Sequence, residues 1–187
     1  MIEKEVRFKV SNSIINEIIR NTEIVKEKKY TLDIVLGEYG FDSLSKNGYI
    51  VRLRTKNNKT HLEVKKRLNK NDWEEYSISI DDTKSTIKIL ETLGLKTYLF
   101  ISRYREERKY NNLHIFIDNV DLLGDFVEME YQESNYDEVI EFISKFNIEN
   151  KEQELYGDIF KYNIENDIEF KKEFDIKLNE IINKEGD

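Results

Sequence analysis

Strict two-residue alternation of charged and apolar side chains, repeated in many short segments, constrains this chain more than any other feature. The first ten residues show it. Ile2, Val6, Phe8 and Val10 fall on one face of an extended chain, with Lys4 the exception, and Glu3, Glu5, Arg7 and Lys9 fall on the other. Charges on the second face recur about every 7 Å, at ~3.3 Å of rise per residue. The first face must be buried, and the second must be solvated or neutralised.

The same alternation returns down the chain. Ile50, Arg52 and Arg54 oppose Tyr49, Val51 and Leu53, and His61, Glu63 and Lys65 alternate with Leu62 and Val64. Glu75, Ser77 and Ser79 oppose Tyr76, Ile78 and Ile80, while Arg103 and Arg105 share a face within Tyr98–Glu107. His114, Phe116 and Asp118 oppose Leu113, Ile115 and Ile117, and Glu128 and Glu130 oppose Val127, Met129 and Tyr131. A longer extended stretch runs from Ile24 to Leu36, with Tyr30, Leu32, Ile34 and Leu36 on one side and Lys29, Thr31, Asp33 and Val35 on the other. Asn57-Asn58-Lys59, Asn69–Asp72 and Asn111-Asn112 read as the turns between strands. Helices are expected after Ser11 or Asn12, from Asp82 or Thr83 to Leu93 with Gly94 closing it, and over Tyr136–Phe146, Glu152–Phe160 and Ile164–Ile182. Gly37 and Gly40 mark a turn region.

At 187 residues the chain is long enough for one domain with a core. It has no cysteine, which excludes disulfides and thiolate metal sites, so a reducing, cytoplasmic setting is expected. No apolar run approaches the ~20 residues of a membrane span. A net charge of −8 argues against a nucleic-acid-binding face.

Seven or eight strands with charge on one face allow two folds. An open sheet with a wet side satisfies the alternation. So does an α+β fold in which the charged face curls inward, giving a closed eight-stranded antiparallel β-barrel, a tunnel with a polar interior and helices packed outside. The helices need an apolar surface to pack on, and the second supplies one if the charged face curls inward. A polar interior is costly unless its charges bind something. Two Glu-x-Glu pairs suit a hard divalent cation, Mg²⁺ or Mn²⁺. Converging Arg and Lys suit a polyanion rich in phosphate oxygens. A metal with a polyphosphate uses both sets.

These residues resemble a known family. Glu3-Lys4-Glu5-Val6-Arg7 is similar to the N-terminal E-x-E-x-K motif of the CYTH superfamily, the triphosphate tunnel metalloenzymes. Arg52-Leu53-Arg54, Glu63-Val64-Lys65, Glu75 and the pair Arg103 and Arg105 follow in the family's order. Ile117-Asp118-Asn119-Val120 and Leu123-Gly124-Asp125-Phe126-Val127-Glu128-Met129-Glu130 match its most specific block. Arg7 and Arg103 stand where the family commonly has Lys, and Leu155 replaces the Ser of a Ser-Tyr pair, so Tyr156 is not placed in the site.

The resemblance implies an eight-stranded tunnel over residues 1–162 that binds a triphosphate and one or two divalent metals. Glu3, Glu5, Glu128 and Glu130, with Asp118, would hold metal. Arg7, Lys9, Arg52, Arg54, Lys65, Arg103 and Arg105 would clamp the triphosphate. Glu63 and Glu75 would orient the cations or a water and, with Lys65, form the catalytic set. Residues 163–187 form a charged helix that packs on the barrel, closes a tunnel end or meets a second copy in a homodimer. The implied reaction is hydrolysis of inorganic tripolyphosphate or of an organic triphosphate such as thiamine triphosphate or a nucleotide. Class IV adenylate cyclase, making cyclic AMP and pyrophosphate, is the alternative. Cyclase-type members carry residues ahead of E-x-E, including an aromatic, whereas two residues precede Glu3 here, which favours hydrolysis. A binding module without turnover is the reading from another class. The smaller features read as packing or surface groups: Tyr30 and Trp73 as packing aromatics, His61 and His114 as lone imidazoles near a surface.

Overall fold

The computed structural model describes residues 4–68, 73–149 and 154–184. Eight strands are present: β1 (Lys4–Lys9), β2 (Glu23–Gly37), β3 (Tyr49–Lys56), β4 (Lys59–Arg67), β5 (Trp73–Ile80), β6 (Lys96–Tyr110), β7 (Leu113–Val120) and β8 (Gly124–Tyr131). Among the described residues the helices are α1 (Asn12–Asn21), α2 (Ser43–Asn47), α3 (Thr83–Thr92), α4 (Tyr136–Lys145), α5 (Tyr156–Asn166) and α6 (Ile168–Lys184). The strands form one sheet in the order β1-β8-β7-β6-β2-β3-β4-β5. This is the expected eight-stranded antiparallel, α+β arrangement. Closure of that order into a tunnel remains what the family likeness implies. No described helix is long and apolar enough to cross a membrane.

The turns form where asparagine tolerates the left-handed region. Asn57 (φ 53°) and Asn58 (φ 58°) make the two-residue β3–β4 turn, with Lys56 paired to Lys59. Positive φ at both central residues is the type I′ geometry that matches strand twist. Asp82 caps α3 by accepting from the Ser85 N–H at 2.9 Å, and Gly94 (φ 92°) ends it.

Three boundaries differ from expectation. Residues 40–47 fold into a short 3-10 turn and α2 where only a turn was read, because five helical residues are too few to show a periodicity. Gly37 is required there: a Cβ on it would lie 2.1 Å from Ser43 Oγ. The two C-terminal helices divide later than expected: α5 runs on to Asn166, and α6 starts at Ile168, because Asp167 lies between them. Its Oδ1 accepts from the N–H groups of Glu169 (2.9 Å) and Phe170 (3.1 Å) and so caps α6. The expected turn at Asn69–Asp72, the start of the expected helix at Glu152 and the Trp73 side chain lie outside the described residues.

The chain divides into two compact units, Met1–Tyr30 with Arg103–Glu154, and Thr31–Ser102 with Leu155–Asp187. In the first unit, α1 and α4 lay Ile15, Ile18, Val139 and Phe142 on the apolar faces of β1, β7 and β8, where Phe8, Ile115, Val127 and Met129 are buried. Arg108 ties off α1. Its guanidinium donates to the carbonyls of Ile19 (2.9 Å) and Thr22 (2.8 Å), which the helix itself leaves unsatisfied. In the second unit, Leu36, Leu53 and Leu99 are buried with Phe100, Phe160 and Phe174. Phe174 of α6 stacks on Phe100 with centroids 5.2 Å apart.

Candidate functional site

Within each unit the charged strand faces form one cluster of ion pairs. In the first unit, β1 and β8 pair so that Glu5 lies opposite Glu130 and Arg7 opposite Glu128. Arg7 is buried and donates from every nitrogen: Nε to Glu128 Oε2 at 3.0 Å, Nη1 to the Glu154 carbonyl at 3.1 Å, and Nη2 to Glu128 at 2.5 Å and to Glu5. Arg105 faces Asp118 across β6 and β7. It grips Asp118 through Nε (2.7 Å) and Nη2 (2.6 Å), and Nη2 also reaches Glu128 Oε1 at 2.8 Å. Phe116 supports this guanidinium, its ring centroid 4.6 Å from Cζ. Arg103 Nη1 lies 3.5 Å from Asp118.

Two acids here are pushed in opposite directions. Burial penalises the Glu128 charge, yet Arg105 and Arg7 outweigh that penalty and hold its carboxyl down at about 2. Glu5 is raised to about 7, first by desolvation, then by repulsion from Glu128, with which its carboxyl shares a hydrogen bond. Glu5 keeps 44 % of its side-chain surface open, so a solute can reach its carboxyl.

The second unit holds the other set. Asp33 is buried and accepts from Arg54 through Nε and Nη2, both at 2.7 Å. Arg52 Nε donates to the buried Glu63 at 2.7 Å. Glu75 lies 3.4 Å from Lys65 Nζ and 3.9 Å from Arg52. Burial disfavours the Arg54 charge, but Asp33 more than offsets this and its pKa is raised.

The expected site residues therefore fall into two groups. Glu5, Arg7, Arg103, Arg105, Asp118 and Glu128 meet in the first unit; Arg52, Arg54, Glu63, Lys65 and Glu75 meet in the second. Glu130 is half-buried in register with Glu5, and Lys9 is exposed beside Phe126. Glu3 lies outside the described residues, and among those described no three acidic or imidazole groups converge as a metal cage. His61 bonds Ser79 and lies in register with Arg54, and His114 bonds Glu107 and lies in register with Glu130. Tyr30 packs on Tyr104 at 5.3 Å with its ring part-exposed, so it is not a core residue. The grip of Asp33 on Arg54 was not among the expected contacts. The signal was there: an aspartate amid Leu32, Ile34 and Val35 in a strand is unfavourable unless something opposite requires it.

The model of the CYTH domain family matches residues 1–158. The chain belongs to the CYTH family. Solved structures show the same fold. A conserved hypothetical protein from Pyrococcus furiosus is 21% identical, with 83% of this chain and 98% of that one covered, at a TM-score of 0.66. A candidate adenylate cyclase from Vibrio parahaemolyticus is 17% identical, covering 86% and 98%, at 0.61. A candidate adenylyl cyclase from Hippeastrum, described as having a dominant triphosphatase activity, is 13% identical, covering 78% and 87%, at 0.56. No individual curated protein matches significantly. As a CYTH protein the chain is read as an enzyme acting on triphosphates, and both ion-pair clusters carry residues of the family's motifs.

Proposed function

We propose that this CYTH protein is a divalent-metal-dependent triphosphatase, releasing phosphate from inorganic tripolyphosphate or from an organic triphosphate such as thiamine triphosphate or a nucleotide. One observation carries the reading most: Glu5 and Glu128, two acids from neighbouring strands, are drawn together on one guanidinium nitrogen, Arg7 Nη2. A like-charge pair is unfavourable alone and favourable around a cation.

The donors fit a hard ion. Glu5 and Glu128 meet at Arg7 and, with Glu130 and Glu3 joining them by motif, would offer oxygen only, as Mg²⁺ or Mn²⁺ prefers. When bound, such an ion would supply charge neutralisation at phosphate oxygens and polarise a bound water. Arg7 is committed to protein oxygens, so its task in this reading is to orient Glu5 and Glu128. Arg52, Arg54, Arg103 and Arg105 are buried in part and fixed by carboxylates. Cations placed this way stabilise charge building on non-bridging oxygens without reorganising. Lys65 adds a mobile point charge, and Glu75, exposed beside it, is the group best placed to orient a water.

The cyclase reading is favoured by the Vibrio structure's description, while the Hippeastrum description names a dominant triphosphatase activity, and product analysis separates the two. The protein is incubated with tripolyphosphate, thiamine triphosphate and ATP, with Mg²⁺, Mn²⁺ or chelator, and phosphate, pyrophosphate and cyclic AMP are measured. Metal-dependent phosphate release supports the proposal. Pyrophosphate with cyclic AMP shows a cyclase, and tight binding without product shows a binding module.

A further inference from the structure

Asp33 and Asp118 sit in different units but do the same thing in the same geometry. Each is directly opposite the second arginine of an Arg-x-Arg pair, Arg54 or Arg105. Each accepts Nε on Oδ1 and Nη2 on Oδ2, at 2.7 and 2.7 Å for Asp33 and 2.7 and 2.6 Å for Asp118. Each also draws the first arginine of its pair, Arg52 at 3.7 Å and Arg103 at 3.5 Å. Exposure matches as well. The aspartates are 3% and 0% exposed, the first arginines 11% and 12%, the second arginines 23% and 23%. A buried glutamate completes each set, Glu63 near Arg54 and Glu128 on Arg105.

The strands that build the two sets are ordered differently. In the second unit the arginine strand β3 lies between the aspartate strand β2 and the glutamate strand β4; in the first, β6, β7 and β8 carry arginine, aspartate and glutamate in succession. A copied supersecondary motif would keep its strand order. One contact geometry reached by two routes indicates a requirement of the arginine pair itself. A bidentate carboxylate fixes the plane of a guanidinium and the direction of its other edge, whereas an arginine without one samples many rotamers.

We infer that Asp33 and Asp118 are matched positioning residues, each aiming one Arg-x-Arg pair at a phosphate group of the substrate. This rests on the triphosphate reading above, and it gives Asp118 an arginine-orienting role in place of metal ligation, since its two-point grip on Arg105 repeats that of Asp33 on Arg54. The sign of the effect is diagnostic. Removing a buried negative charge beside cations should tighten anion binding if charge alone mattered. A positioning role makes it weaken.

The test is titration of the full chain with magnesium tripolyphosphate, comparing wild type with D33N and D118N. Asparagine keeps the acceptor for Nε but turns an N–H toward Nη2. In folded variants, each substitution is expected to weaken binding about tenfold or more, the loss of a charge-assisted hydrogen bond. Equal or tighter binding overturns the positioning role and leaves the triphosphatase reading standing. No binding by the wild type overturns both. A wild-type measurement decides the matter even if the variants do not fold. The Nε–H protons of Arg54 and Arg105 should exchange slowly in the free and in the loaded protein, and loss of that protection on loading would show that the aspartates let go, contradicting the inference.

Discussion

Glu5 and Glu128 both accept from Arg7 Nη2 and are pushed in opposite directions, and stability should record both. Glu128 is held near 2, below the ordinary 4.5, so the unfolded chain binds its proton more readily. Its contribution is complete above pH 4.5 and is lost as pH falls toward 2. Glu5 is raised to about 7, so the folded state keeps a proton that the unfolded chain has released. The metal-free protein therefore loses stability as pH rises from 4.5 to 7. Thermal unfolding of Glu5→Gln across that window should show a flatter profile than wild type; an unchanged slope would remove Glu5 as its source. Glu128→Ala leaves the buried Arg7 without its buried carboxylate, while Arg105 keeps Asp118, and should cost about 3–5 kcal/mol in denaturant unfolding. Glu130→Ala, at a half-buried position, should abolish metal-dependent turnover with far less destabilisation. Alternation placed Arg52, Arg54, Arg103, Arg105 and Glu128 on the charged faces correctly. It did not show which carboxylate each arginine grips, because that depends on cross-strand register, which no single strand encodes.

The strands were legible as elements because their period-two pattern is repeated and their turns carry asparagine. Asn58→Gly keeps the positive φ at no steric cost and should leave stability unchanged or slightly raised, read from the unfolding midpoint. The segment at 40–47 was not legible, since α2 is shorter than two helical turns and its placement depends on Gly37 meeting Ser43. The C-terminal helix was visible as a helix, but its choice of partner was not. The buried face of α6 centres on Phe174, stacked on Phe100. Phe174→Ala should cost about 3–5 kcal/mol. A loss below 1 kcal/mol would mean that α6 is not anchored there.

At the scale of the whole molecule, a chain of net charge −8 buries arginines and carboxylates from seven of its eight strands. Buried ion pairs are weak evidence of stabilisation, because desolvation offsets much of their attraction. Their number and their pairing in both units point to ligand chemistry rather than to folding. The family match gives that chemistry its class, and the metal and the exact triphosphate follow from the proposal, not from the fold. Calorimetric titration of wild type, Arg54→Ala and Arg105→Ala with tripolyphosphate in the presence of Mg²⁺ tests this most directly. The account predicts saturable binding by the wild type and a loss of about tenfold or more in each variant, one from each unit. Absence of binding by the wild type, or undiminished binding by both folded variants, would contradict it.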